Sequence, residues 1–122
     1  PGIHPCRDSY GAMAIVLELM AQSGKTPSQL RAEYPSPWFH REKIRIKSGE
    51  APRILRAVRR KYEDGGRLNL QDGVHVDLGD RWLHVRRSNT EPVVRLMIEA
   101  EDQASAEALA REVHAEIDKA RA

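Results

Sequence analysis

One cysteine, Cys6, is all the sequence has. It excludes an internal disulfide and any zinc site built from several thiolates. Aromatic residues make up only 5% of the chain, so a core must be built from aliphatic side chains. No apolar run reaches the roughly 18 residues that a membrane-spanning helix needs. There is no initiator methionine and no secretory pattern. The opening "PGIHPCRDS" reads as an excerpt from a longer chain, and a lone thiol suits a reducing cytoplasm. The net charge is only +2, which argues against a wholly polycationic protein.

What is present is a globular composition, 40% apolar and 31% charged over 122 residues. The charge is uneven. Residues 37–71 carry ten basic and four acidic side chains, and residues 72–122 carry seven basic and eleven acidic. The basic middle either faces a polyanion or forms a solvated helix face and an exposed strand. No aromatics interleave these charges as single-strand binding would favour.

Helix formers fill "SYGAMAIVLELMA" (Ser9 to Ala21), which is apolar almost all round and expects burial on every side. Asp8 or Ser9 can cap its start, and Gly24 ends it. Thr26 and Pro27 read as N-cap and first residue of a short second helix. "PSP" at 35–37 marks a boundary. Beyond it, Ile44 and Ile46 alternate with Lys43, Arg45 and Lys47 as in a half-exposed strand. Ile54, Val58 and Tyr62 then recur at helical spacing.

"RLNLQ" is a short strand, and "GVHVDLGDRWLHVRR" a hairpin turning on Gly79 and Asp80. Its register sets Val74, Val76, Leu78, Leu83 and Val85 on one face, with His75 opposite His84 on the other. In "VVRLMIEA", Val94, Leu96 and Ile98 share a face and Arg95 points away. A last helix carries Leu109, Val113 and Ile117, with Asp102 as N-cap and Glu107 paired with Arg111. The order from residue 37 implies an α+β fold, a mostly antiparallel four-stranded sheet with helices on one face.

Between two strands lies "RRSNTEPVVR", Arg86 to Arg95. A phosphate site needs hydroxyl donors, convergent backbone amides and planar guanidiniums. Ser88 and Thr90 offer hydroxyls, Asn89 tolerates the positive φ of a tight turn, and Arg86 and Arg95 flank the loop on the face away from the apolar row. The alternative is a polar β-loop with two surface arginines.

"VRRSNTEPVVRLMIEAED" resembles the phosphate-binding loop of the α-D-phosphohexomutase superfamily, which includes phosphoglucomutase, phosphomannomutase and phosphoglucosamine mutase. Arg86, Ser88, Asn89, Thr90, Glu91, Pro92 and Arg95 match the family pattern. Arg87 departs from it, standing where proline is usual and adding a charge. "GDRWLHV" and "EAEDQASAEAL" resemble the family's flanks of that loop, and "GIHPCRDSYGAMAIVLELMAQSGKTPSQL" the end of its third domain.

The resemblance implies that residues 1–36 are the helical tail of a third, α/β domain, and that residues 37–122 are a fourth domain of TATA-binding-protein-like α+β fold. It implies a parent isomerase that interconverts hexose 1- and 6-phosphates through a phosphoserine and a bisphosphate, with magnesium assisting. Arg86, Ser88, Asn89, Thr90 and Arg95 would grip the substrate phosphate. The phosphoserine, metal and sugar-selecting loops belong to the family's other domains, so this chain alone is expected to be inactive and to hold no cofactor.

Other candidates carry less. His75 and His84 lack a third ligand and read as surface histidines. His4 with Arg7 and Asp8 reads as a helix cap with its ion pair, and Cys6 as an inert thiol. The competing function is a small nucleic-acid-binding module using the basic helix over residues 53–61. The mutase reading instead expects a hexose phosphate and the parent's remaining domains as partners, with no nucleic acid and no membrane. It also expects possible self-association through the 9–21 helix.

Overall fold

The structure is a computed structural model that describes residues 8–122, so the readings on His4, Cys6 and Arg7 lie outside the described residues. The chain divides into two compact units, one ending at Pro35 and the other spanning Ser36–Ala122.

In the first unit, α1 runs Ser9–Ser23. The Asp8 carboxylate accepts from the Gly11 amide at 2.9 Å, and Gly24, at φ 68°, closes the helix with its amide on the Met20 carbonyl. Helix α2, Pro27–Ala32, starts on Thr26, whose hydroxyl and backbone form a reciprocal capping box with Gln29. The expectation that α1 is buried all round fails. None of its residues is buried, and Tyr10 and Ile15 are 85% and 69% exposed. Its helicity is local, set by propensity and caps, whereas burial needs a packing partner that those signals do not supply.

The second unit begins with β1, Trp38–Arg45, followed by α3, Glu50–Tyr62. Strands β2 (Arg67–Asn69), β3 (Val74–Asp77), β4 (Trp82–Arg87) and β5 (Val93–Ala100) precede α4, Gln103–Arg121. The strands make one antiparallel sheet in the order β1-β5-β4-β3-β2. The expected count of four strands therefore becomes five. The short strand expected at "RLNLQ" forms as the three-residue edge strand Arg67–Asn69, paired with β3. The fold is α+β, as expected.

The hairpin turns where its chemistry demands. The Leu78 amide donates to the Arg81 carbonyl at 2.9 Å, and Gly79 takes the positive φ of 95° that the turn needs. His75 is the cross-strand neighbour of His84, as the alternation implied.

The core lies on the sheet face covered by α3 and α4. Val76, Leu83, Val85, Val94, Leu96 and Ile98 meet Ile54 and Val58 of α3 and Leu109, Val113 and Ile117 of α4. Burying each such side chain contributes about 1.5–3 kcal/mol, enough for an aliphatic core to compensate for scarce aromatics. Asp102 caps α4 through the Ser105 amide at 2.7 Å. The expected Glu107–Arg111 pair does not form, because the Glu107 carboxylate accepts from Gln103 instead, at 2.7 Å.

Where α4 crosses β1, His114 Nε2 reaches the Glu42 carboxylate at 2.9 Å. Burial raises that carboxyl's pKa, but the hydrogen bond and charge of His114, with His40 3.5 Å away, outweigh it and leave it below the ordinary range. Within the second unit, α3 and α4 both lie on the core side of the sheet, and the candidate site occupies one end of the opposite face.

Candidate functional site

Strand alternation builds the site. In β4, Leu83 and Val85 enter the core, so Trp82, His84 and Arg86 project from the open face. In β5, Arg95, Met97 and Glu99 do the same. The pairing register then sets Arg86 directly opposite Arg95, and Arg95 directly opposite Lys43 of β1. Three cations thus share one cross-strand row at the mouth of the β4–β5 loop. Like charges placed opposite each other on one face oppose sheet pairing.

Carboxylates hold the row together. Asp72 accepts from Arg86 Nη1 at 2.8 Å. Glu91 accepts from Lys43 Nζ with both oxygens at 2.9 Å, and from Arg95 Nη2 at 3.3 Å. The Lys43 hydrogen bond and charge, with Arg95 behind them, keep the Glu91 carboxyl below its ordinary range. Three cations against two carboxylates leave the row with one net positive charge.

The loop between the strands is closed by the Ser88 amide on the Val93 carbonyl at 3.0 Å. The Val93 amide on the Glu91 carbonyl, at 2.8 Å, tightens it, and the Ile46 amide on the Pro92 carbonyl, at 3.0 Å, ties it to the end of β1. Ser88 is only 5% exposed, and its hydroxyl accepts a long bond from Arg95 Nη2 at 3.5 Å. Its own hydroxyl proton is given no acceptor among the described residues. Arg95 Nε is likewise buried with no partner there. Buried donors of this kind call for an acceptor.

All five residues singled out in the sequence, Arg86, Ser88, Asn89, Thr90 and Arg95, line one open depression of about 190 Å³, joined by Arg87. Asn89 does not play its expected backbone part. No non-glycine residue takes a positive φ among the described residues, because the loop is long enough to close through Ser88 and Val93 without one. Arg87 follows the core-facing parity of Leu83 and Val85. It also lines a groove of about 480 Å³ bounded by Lys47 and the start of α3.

Sequence reasoning missed Lys43 and Asp72. Lys43 shares a strand face with Arg41, but only pairing shows that this face meets Arg95. Asp72 lies fourteen positions before Arg86, and its one local signal was the Asp-Gly of a turn. Among the described residues no three His, Cys, Asp or Glu side chains are gathered as a metal ion would require. His75 and His84 are ring neighbours at 5.6 Å, but His84 Nε2 is already spent, donating to the Asp72 carbonyl at 2.6 Å.

A two-layer α+β domain with a polar, arginine-flanked loop at one end of its sheet is the class these features define. The family description "Phosphoglucomutase/phosphomannomutase, C-terminal domain" matches residues 22–116, and the chain belongs to that family. It is 35% identical over 113 residues to "Probable phosphoglucosamine mutase" of Methanopyrus kandleri, which covers 89% of this chain and 24% of that protein. It is 33% identical over 115 residues to "Phosphomannomutase/phosphoglucomutase" of Pseudomonas syringae, covering 92% of this chain and 24% of that protein. The chain thus spans about a quarter of the curated relatives it matches. The crystal structure of a phosphoglucomutase/phosphomannomutase family protein from Burkholderia thailandensis superposes with a TM-score of 0.68 at 24% identity. That likeness covers 88% of this chain and 23% of the other, and shows a shared fold. No described helix is long and apolar enough to cross a membrane.

Proposed function

We propose that this chain is the C-terminal substrate-phosphate-binding domain of a phosphohexomutase. The parent would interconvert hexose 1-phosphate and hexose 6-phosphate through a phosphoserine and a bisphosphate. One observation carries the reading: two guanidiniums stand opposite each other across β4 and β5, at the foot of a loop that holds a buried hydroxyl. Asp72 and Glu91 offset this row only in part and leave one net positive charge beside unpartnered donors, for which a phosphate offers both the charge and the acceptors.

In this reading Arg86 and Arg95 give the charge-assisted bonds, while Ser88, Asn89 and Thr90 give the neutral ones. The domain grips the phosphate that is not reacting. Binding energy from that remote group positions the reacting end. Magnesium, which the family resemblance implies for the parent, would supply electrophilic help at the phosphoserine. The described residues gather no ligand set for it.

The test is titration of the 122-residue chain with inorganic phosphate and with glucose 6-phosphate, followed by amide NMR. Ser88–Thr90 should shift. A bond to a charged group is worth about 1.5–3 kcal/mol, so Arg86→Ala should weaken binding by about tenfold or more. Arg87→Ala should change it far less, since Arg87 borders the depression but leaves β4 on the side opposite Arg86 and Arg95. Equal damage from both variants would refute the assignment of the clamp. Shifts confined to Arg53–Lys61 on adding an oligonucleotide, with no response to phosphate, would favour a nucleic-acid module instead.

A further inference from the structure

Arg86 sits at the end of β4, with its side chain one-third exposed. A free arginine there would sample many rotamers, and a guanidinium grips phosphate with two parallel bonds only when its plane is fixed. The connection between β2 and β3 supplies that restraint. Gly73, at φ 79°, brings the connection so close to β4 that a β-carbon on it would lie 2.8 Å from Arg86 Cα. The same residue's β-carbon would meet the Val85 carbonyl oxygen closer still. The neighbouring Asp72 is thereby held from two sides. Its carbonyl accepts from His84 Nε2 at 2.6 Å, and its carboxylate accepts from Arg86 Nη1 at 2.8 Å. The other Arg86 nitrogens make no hydrogen bond among the described residues, and Arg86 lines the depression beside the loop.

We infer that Asp72 is a positioning residue: it fixes the Arg86 guanidinium by one edge and leaves the remaining donors for the substrate phosphate. The inference rests on the phosphate-binding reading of the loop. It goes further by assigning a role to a residue outside the loop and outside the motif. Simple electrostatics makes the opposite forecast. Asp72 is a negative charge near the site, so removing it should tighten phosphate binding. A pinned backbone beneath the carboxylate is what positioning requires, whereas a mere counter-ion needs none.

The experiment compares Asp72→Ala and Asp72→Asn, each also in the Arg86→Ala background, by phosphate titration of the 122-residue chain. Unfolding midpoints confirm that each variant is folded. The pair is partly exposed, so Asp72→Ala should weaken phosphate binding by about two- to five-fold. Asp72→Asn keeps an acceptor oxygen and should match or exceed the unsubstituted chain. In the Arg86→Ala background, Asp72→Ala should have no further effect. Tighter binding by Asp72→Ala would show competition and overturn the inference. An equal loss in the Arg86→Ala background would overturn it too, because Asp72 would then act without Arg86. If Arg86→Ala itself leaves binding unchanged, or the unsubstituted chain binds no phosphate, the reading of the loop fails and the inference falls with it.

Discussion

Replacing Gly73 by alanine should be the most damaging single-methyl change at the site end of the sheet. The residue holds φ 79°, which costs an L-amino acid about 1–2 kcal/mol. The new β-carbon would also lie 2.8 Å from Arg86 Cα, where ordinary contact begins near 3.4 Å. The obstruction is backbone, not a flexible side chain, so the turn must lift away from β4. Forcing a methyl into such a contact costs about 1–3 kcal/mol more. The total is about 2–5 kcal/mol. For a domain of 60–100 residues each kcal/mol lowers the midpoint by about 4–8 °C, so a drop of about 8 °C or more is expected. Gly79→Ala is the control, because that glycine has a φ of 95° but nothing within 4 Å of its added β-carbon. It should lose only the backbone part, about 1–2 kcal/mol. Thermal and urea unfolding followed by circular dichroism measure both. Equal losses for the two variants would refute the claim that the β2–β3 connection presses on the strand bearing Arg86.

Tyr62 provides a pH test. Burial, then the charge and hydrogen bond of Glu112 at 3.5 Å, raise its phenol from 10.0 to about 12. The folded state therefore keeps a proton that the unfolded chain releases, so the contribution is intact below about pH 10 and lost as pH rises towards 12. Urea midpoints from pH 8 upward should fall more steeply for the unsubstituted chain than for Tyr62→Phe, and parallel profiles would contradict this. The exposed apolar surface of α1, with Ile15 and Leu17 at 69% and 60%, should drive association of the chain in solution. Sedimentation velocity should show concentration-dependent association that Ile15→Lys with Leu17→Lys suppresses. A monomer at every concentration would refute it.

The local sequence determined a good deal of this protein. Periodicity and caps located α1, α3, α4 and the hairpin, because helix and strand propensities, N-caps and a two-residue turn act within a few positions. The Arg86-to-Arg95 motif was legible for the same reason: its hydroxyls and guanidiniums are neighbours along the chain as well as in space. The Glu107–Arg111 pair was misjudged where two local outcomes differ little in energy. Gln103 competes with Arg111 for one carboxylate.

Only the tertiary structure decided the rest of the site. Lys43 reaches Glu91 because β1 pairs with β5 across the intervening helix and hairpin. Asp72 reaches Arg86 because a glycine lets one turn lie against another strand. Both contacts depend on register between segments distant in sequence, and a shift of one residue would turn each side chain to the other face. That register is imposed by packing the whole aliphatic face against α3 and α4, an energy summed over the core and written in no single stretch of the chain.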